Sequence, residues 1–461
     1  MLHVGREATR TCSSWDRRAF LQVGASSVLG LSLSDFLRAK ESGGLTPGSA
    51  KAVILLWLWG GPSQLDTFDP KPNAPIEYRG PFSTIPTRIP GVRFCELFPK
   101  LAGVSDKLAV VRTLVSKSND HGIAGTIGLT GSAAGGTGLD GKPLPGSARP
   151  ATGSVVAKAL MSGAGRRATD LPPFLVIGGK LHQGKKAIIG EGGGPLGATV
   201  DPFRLEYDPI HGTKVPALEL PINLTPERLT DRHSLMSALT ATEKKLEYAQ
   251  RANAIDDYRS RAFAMLTSPS AREMFDLSQE PVKVAAEYGH TRFGQSCLLA
   301  RRLVESGVPF VQVNWSDHVE AEEDSGDGGW DHHYRNFQIM QDRHAVWLDQ
   351  AMSTLVRDLD QRGLLKTTLV LAVGEFGREP KINNKAGRDH WPGCYSAVLA
   401  GGGVKGGRVL GTSDARAFAP ADTPLSPGDL CATVQHAVGL TSEQTASMGL
   451  ATTGRVIEEL F

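Results

Sequence analysis

Residues Thr367–Trp391 read TTLVLAVGEFGREPKINNKAGRDHW. Thr368–Val373 is a short apolar, β-branched run, which is how a strand buried on both faces reads. It breaks at Gly374, and Glu375 follows at once. Arg378 and Asn383 come next, then a turn at Gly387 that delivers Asp389, His390 and Trp391. In open α/β sheets, ligands gather outside the carboxyl ends of the strands. Glu375 and His390 therefore stand where a metal or oxyanion site would be built. Any one of these residues alone fits a charged surface loop. Strand, carboxylate, arginine and histidine in this order fit a site.

Three other stretches extend the pattern. Val53–Trp59 (VILLWLW) is a second buried-strand run, ended by Gly60-Gly61-Pro62-Ser63 and followed by Asp66, Thr67 and Asp69. In Ser116–Gly131 (SKSNDHGIAGTIGLTG), Asn119 or Asp120 caps a helix over Gly122–Leu129 that stops at Gly131. His121 then lies in the first turn, where free N–H groups and the helix dipole favour an anion. Trp330-Asp331-His332-His333 packs an acid and two imidazoles together, a compact donor set for a transition metal. Neighbours on a helix point apart, so Asp331 with one of the histidines is the expected pair. The Glu191–Gly197 run (EGGGPLG) lacks the Gly-Lys-Ser/Thr ending of a phosphate loop.

Strand and helix patterns alternate over 52–130 and 282–400. The expectation is one α/β domain over 51–461, a mixed sheet flanked by helices, with a helical and loop insertion at about 150–280. Helices are expected over Thr225–Ala271, Val282–Ser306 and Gln338–Arg362, and an edge hairpin at Val409–Leu410. The chain has 461 residues, and 50 Lys and Arg stand against 48 Asp and Glu. A net charge of +2 gives no electrostatic case for a nucleic acid partner. The five cysteines are scattered without a CxxC pair, so neither a zinc knuckle nor a disulfide scaffold is indicated. Ser14–Leu21 (SWDRRAFL) resembles a twin-arginine export signal. The apolar run behind it, Phe20–Leu37, is broken by Gly24 and Gly30 and is too polar to span a membrane well. Residues 1–50 are thus expected to direct export by the twin-arginine route to the periplasm or cell surface, with no membrane span beyond the signal.

GGPSQLDTFDPKP, NDHGIAGTIGLTG, YGHTRFGQSCLLARRLVESGVPFVQVNW, WDHH, RGLLKTTLVLAVGEFGREPKIN, GRDHWP and AGGGVKGGRVLG together resemble the bacterial "domain of unknown function 1501" family. That family is similar to a branch of the alkaline phosphatase superfamily, which includes sulfatases and phosphoglycerate mutases. The resemblance implies an alkaline-phosphatase/sulfatase-like fold and one or two divalent metal ions. It also implies a Ser, Thr or modified Cys nucleophile at a helix start. This chain departs from the pattern. Trp59-Gly60 stands where the first metal aspartate would fall, so Asp66 would have to reach in from the following loop. Counting back from Leu129-Thr130-Gly131 places His121 where the nucleophile would be. Glu375-Phe376 replaces an Asp-His pair, while Asp331, His333 and His390 match.

The implied metal donors are Asp66, Asp331, His333, Glu375 and His390, around Zn, Ca, Mg or Mn. His121 would be a further ligand or a general acid/base, and Arg378 a clamp for an anionic substrate. The activity implied is hydrolysis of phosphate or sulfate esters, of a small molecule or a glycan, with Thr67, Ser116, Ser118 or Thr126 as replacement nucleophile or, without one, direct attack by a metal-activated water. The competing reading is a non-catalytic glycan- or protein-binding member of the same fold, motivated by that missing nucleophile and by Phe376.

Overall fold

The two runs that read as doubly buried strands form them. Ala52–Trp57 is buried at every position, and so is Thr368–Val373. They pair in parallel, with Val53 beside Leu369 and Trp57 beside Val373. The computed structural model describes residues 50–161, 171–208, 212–214, 273–319, 328–451 and 453–461. The main-sheet strands, in chain order, are Ala52–Trp57 (β1), Leu108–Leu114 (β2), Phe174–Ile177 (β3), Phe203–Asp208 (β4), Gly212–Lys214 (β5), Phe310–Asn314 (β6), Thr368–Val373 (β7), Tyr395–Ala400 (β8) and Arg408–Leu410 (β9). Across the sheet they lie in the order β9-β2-β8-β7-β1-β6-β3-β4-β5. β8 runs antiparallel to both its neighbours, and β5 antiparallel to β4. The other pairs are parallel. The sheet is therefore mixed, as expected.

Successive side chains of a strand point to opposite faces, and the core divides accordingly. Ile54 and Leu56 of β1, Val370 and Ala372 of β7 and Val311 and Val313 of β6 face one cluster. Helices Pro99–Gly103 (α1), Arg292–Glu305 (α4) and Ala345–Gln361 (α5) cover it with Leu101, Leu298, Leu348, Met352 and Leu355. Val53, Leu55, Trp57, Leu369, Leu371 and Phe310 face the other cluster. Helices His121–Thr130 (α2), Thr152–Met161 (α3) and Pro427–Ala437 (α6) cover that side with Leu129, Val155, Leu430 and Val434. Each large apolar side chain so buried is worth roughly 1.5–3 kcal/mol over its exposed state. α2 lies close against β1. A Cβ at Gly128 would come within 2.4 Å of the Trp57 ring, so no other residue lets the helix sit there.

Asp349 of α5 reaches across to the start of α1 and accepts the N–H groups of Lys100 and Leu101 at 3.0 and 2.7 Å. Burial pushes its carboxyl up to about 6 in spite of those two bonds. A folded-state pKa above the unfolded value means that ionisation opposes folding. Relative to Asp349→Asn, the wild type should therefore lose stability as pH rises from about 4 to about 6, by about 3 kcal/mol, and hold level above that. Denaturant midpoints of both proteins across this range check the sign; a constant difference would contradict it.

Several expectations need correction. Within the stretch expected as an insertion, residues 174–177, 203–208 and 212–214 join the main sheet as β3, β4 and β5. The alternation in β4 (FRLEYD) is that of a half-buried strand near the sheet edge, and it was too short to stand out among loops. Val282–Ser306 is two helices, Val282–Tyr288 and α4, because the Thr291 side chain accepts from Gly294 N–H and caps a new start. Arg408–Leu410 is not part of a hairpin. It pairs in parallel with β2. The expected helix over Thr225–Ala271 and the export signal fall outside the described residues. Among the described residues, no helix is long and apolar enough to cross a membrane, and Cys95, Cys297, Cys394 and Cys431 are free and buried.

Candidate functional site

The carboxyl ends of β1, β2, β6 and β7 and the amino end of β8 lie along one edge of the sheet. The segments leaving these ends supply the site. β2 leads into α2, whose N-cap Asp120 accepts from Ile123 N–H. His121 is thereby the first helical residue, and it is fully buried. Its Nδ1 meets Glu375 Oε1 at 2.5 Å. Glu375 stands just beyond β7, also fully buried, and accepts the N–H of Gly60 at 3.0 Å. Gly60 follows β1 with φ 106°, and a Cβ there would lie 2.4 Å from Trp330 N and 2.5 Å from Asp331 N. Only glycine lets the loop ends of β1, β6 and β7 close on one another.

Asp331 is the centre of the group. Its Oδ2 lies 3.4 Å from His121 Nε2. Its Oδ1 lies 3.1 Å from Nε2 of both His333 and His390, and 2.6 Å from Arg378 Nη2. The Nε2 atoms of His333 and His390 are 2.9 Å apart. The other nitrogen of each imidazole is bound to an oxygen. His333 Nδ1 contacts Asp389 Oδ1 at 2.7 Å and His390 Nδ1 contacts the Asn119 carbonyl at 2.7 Å, as His121 Nδ1 does Glu375. Carboxylate and carbonyl oxygens only accept. Each ring therefore faces an acceptor from both nitrogens: protonated, it donates from both, and with its single proton on Nδ1 it turns an Nε2 lone pair toward Asp331, where a cation would satisfy it. Buried His121 Nε2 has no hydrogen-bond partner.

The electrostatics ask for positive charge. Burial alone would raise the Asp331 carboxyl, but Arg378 and His121 hold it well below the usual carboxylate range. Burial pulls the His121 imidazole down, and Asp331 and Glu375 outweigh it, holding the group at about 9. His333 is raised by its bond to Asp331. His390 is pushed down to about 4 by burial, with Arg378 and His121 adding to the effect. A divalent ion and the protons that it displaces are alternative ways to supply that charge. His121, Asp331 and His390 place one donor atom each within 4.8 Å of one another.

Of the residues expected here, His121, Asp331, His333 and His390 come together. Glu375 is adjacent, but it holds His121 and Gly60 N–H. Arg378 is fully buried and does not present a free fork to a substrate. Its Nε donates to Gly61 O at 2.9 Å, Nη1 to Arg388 O at 3.2 Å, and Nη2 to Gly60 O and Asp331. Asp66 is held elsewhere. Arg388 Nε and Nη2 grip its two oxygens at 2.7 and 3.1 Å, and Asn336 Nδ2 adds a third bond at 3.0 Å. The reason is reach: the loop after β1 turns Asp66 toward the segment before His390, where a buried guanidinium already waits.

Sequence reasoning did not assign roles to Asp389, Arg388 or Asn336. Asp389 adjoins His390 within the opening stretch, and that adjacency was the available signal. Asn336 also accepts from His332 Nδ1 at 3.0 Å, and His332 Nε2 meets His344 Nδ1 at 2.7 Å. Burial pushes His332 down to about 4 and His344 well below its ordinary value, so this second pair is neutral packing behind the site.

No curated protein matches the chain. Solved structures similar to it include Ps i-CgsB (TM-score 0.41, 11% identity, covering 89% of this chain and 76% of that one). The PsFucS1 sulfatase from Pseudoalteromonas sp. has a TM-score of 0.35 and 13% identity over 92% of this chain and 76% of its own. The phosphonate monoester hydrolase SpPMH from Silicibacter pomeroyi has a TM-score of 0.33 and 13% identity over 88% and 76%. At these scores the similarities bear on neither activity nor substrate. The family profile described as "Protein of unknown function (DUF1501)" matches residues 50–461, and the chain belongs to that family.

Proposed function

We propose that the protein is an exported, metal-dependent hydrolase of phosphate or sulfate esters. The observation that carries this reading is the approach of three imidazole Nε2 atoms to one buried carboxylate, each ring held by an oxygen acceptor on its far side. Outer partners of that kind fix the tautomer and orientation of metal-binding histidines. His121, His333, His390 and Asp331 are the residues that would hold the ion. When bound, a divalent ion supplies Lewis-acid polarisation of the ester and neutralises charge developing on it.

The chain's own groups do the rest. Glu375, Asp389 and the Asn119 carbonyl hold the Nδ1 protons. Arg378 keeps Asp331 ionised and in one orientation. His333 and His390 keep 35% and 19% of their side chains exposed, so the ester enters from their side. Thr67 Oγ1 donates to Ser63 O at 2.7 Å and Thr126 Oγ1 to Ile189 O at 2.7 Å, whereas Ser116 Oγ, between β2 and α2, is buried without a hydrogen-bond partner. Water is the attacking group in this reading because His121 stands at the helix start where the resemblance would place a nucleophile, and the ester is one of a small molecule or a glycan.

The same histidine, with Phe376 after Glu375, favours a second reading, a glycan- or protein-binding member without catalysis. Turnover separates the two. Metal-loaded protein should hydrolyse an aryl phosphate or aryl sulfate, and His390→Ala should lower the rate by at least the roughly 10–100-fold that loss of an outer partner costs a metal site. No turnover on either substrate class, or turnover unchanged in the variant, would leave the binding reading.

A further inference from the structure

We propose that the centre takes a zinc-class transition ion through a closed set of three imidazole nitrogens and one carboxylate oxygen, and rejects calcium and magnesium. The inference rests on the reading of His121, Asp331, His333 and His390 as a metal centre, and adds what that centre selects.

Calcium takes six to eight oxygen donors, and magnesium prefers an octahedron of oxygens. This region is rich in carboxylates, yet each is committed. Glu375 accepts from Gly60 N–H and His121 Nδ1. Asp389 accepts from His333 Nδ1 at 2.7 Å and Asn383 Nδ2 at 3.2 Å. Asp66 is closed by Arg388 and Asn336. Asp331 shares Oδ1 with the Arg378 guanidinium at 2.6 Å, which disfavours the bidentate binding that calcium exploits. The imidazole Nε2 atoms face one another and Asp331 instead of an outer partner: those of His333 and His390 stand 2.9 Å apart and 3.1 Å from Asp331 Oδ1, and buried His121 Nε2 makes no hydrogen bond. Nitrogen donors suit zinc, cobalt, nickel and copper over hard cations. His121 stands at the first position of α2, fully buried, and its ring faces Asp331.

The test strips the full-length protein with a chelator and dialyses it against zinc, cobalt(II), calcium or magnesium. One zinc or cobalt ion per chain is expected, with the visible absorption of four-coordinate cobalt(II), undisturbed by a large excess of calcium. Glu375→Gln should weaken zinc binding by roughly 10–100-fold by loosening His121, and His121→Ala by more. Because His121 is fully buried, His333→Ala at a partly exposed ligand serves as the second variant, with circular dichroism as the folding control. Stoichiometric calcium or magnesium in place of zinc would overturn the proposal, as would His333→Ala holding zinc as tightly as the wild type. Zinc bound as expected without any ester hydrolysis would uphold this coordination and sink the hydrolase reading. Failure to bind any ion would sink both.

Discussion

Asp331→Ala should abolish metal binding and cost roughly 3–5 kcal/mol of folding stability. Both effects have one origin. Asp331 is the only carboxylate that faces His121, His333 and His390 at once among the described residues. It is also the counter-charge of Arg378, whose guanidinium is fully buried. Removing one member of a buried ion pair leaves the other uncompensated, which is more costly than never burying the pair. Elemental analysis and denaturant unfolding measure the two effects separately. Metal content at the wild-type level would remove Asp331 from the centre. An unchanged unfolding midpoint would mean that water reaches Arg378 once the carboxylate is gone.

Arg388→Ala should be as damaging to stability, again by roughly 3–5 kcal/mol. Asp66 and Arg388 are both fully buried and joined by two bonds of 2.7 and 3.1 Å. Arg388 also donates to the carbonyls of Tyr78 and Pro380, so its loss leaves acceptors as well as a charge without partners. Replacing the pair together, Asp66→Leu with Arg388→Met, should recover part of the loss, because apolar side chains of similar volume avoid the desolvation penalty. If the double variant is less stable than Arg388→Ala, the backbone carbonyls rather than the ion pair dominate. The backbone N–H of Arg388 donates to His332 O at 3.0 Å. Weaker packing here should therefore also be felt as looser alignment of the Asp331–His333 segment.

The site was partly legible because its residues cluster in sequence at strand ends. Glu375 and His390 flank one turn, Asp331 and His333 share another, and His121 follows an Asn-Asp cap. The helix at His121 came out almost as read, with Asp120 as cap and a left-handed Gly131 at its end. Which carboxylate meets which partner is not carried by the local sequence. Asp66, Glu375 and Asp389 are the same chemical group in the sequence. One grips an arginine, and two turn histidines.

The amino-acid sequence by itself determined the doubly buried strands β1 and β7, the helix starts set by local capping, and the strand-end placement of the polar residues. These depend on side-chain pattern and on hydrogen bonds between near neighbours, which a linear string carries. Only the tertiary structure decided that β3, β4 and β5 join the main sheet, that Arg378 serves Asp331 rather than a substrate, and that His121 faces the same carboxylate as His390. Those outcomes depend on which partner lies within about 3 Å of a buried polar atom. Here the partners come from segments as far apart as Gly60 and Glu375, brought together by the sheet.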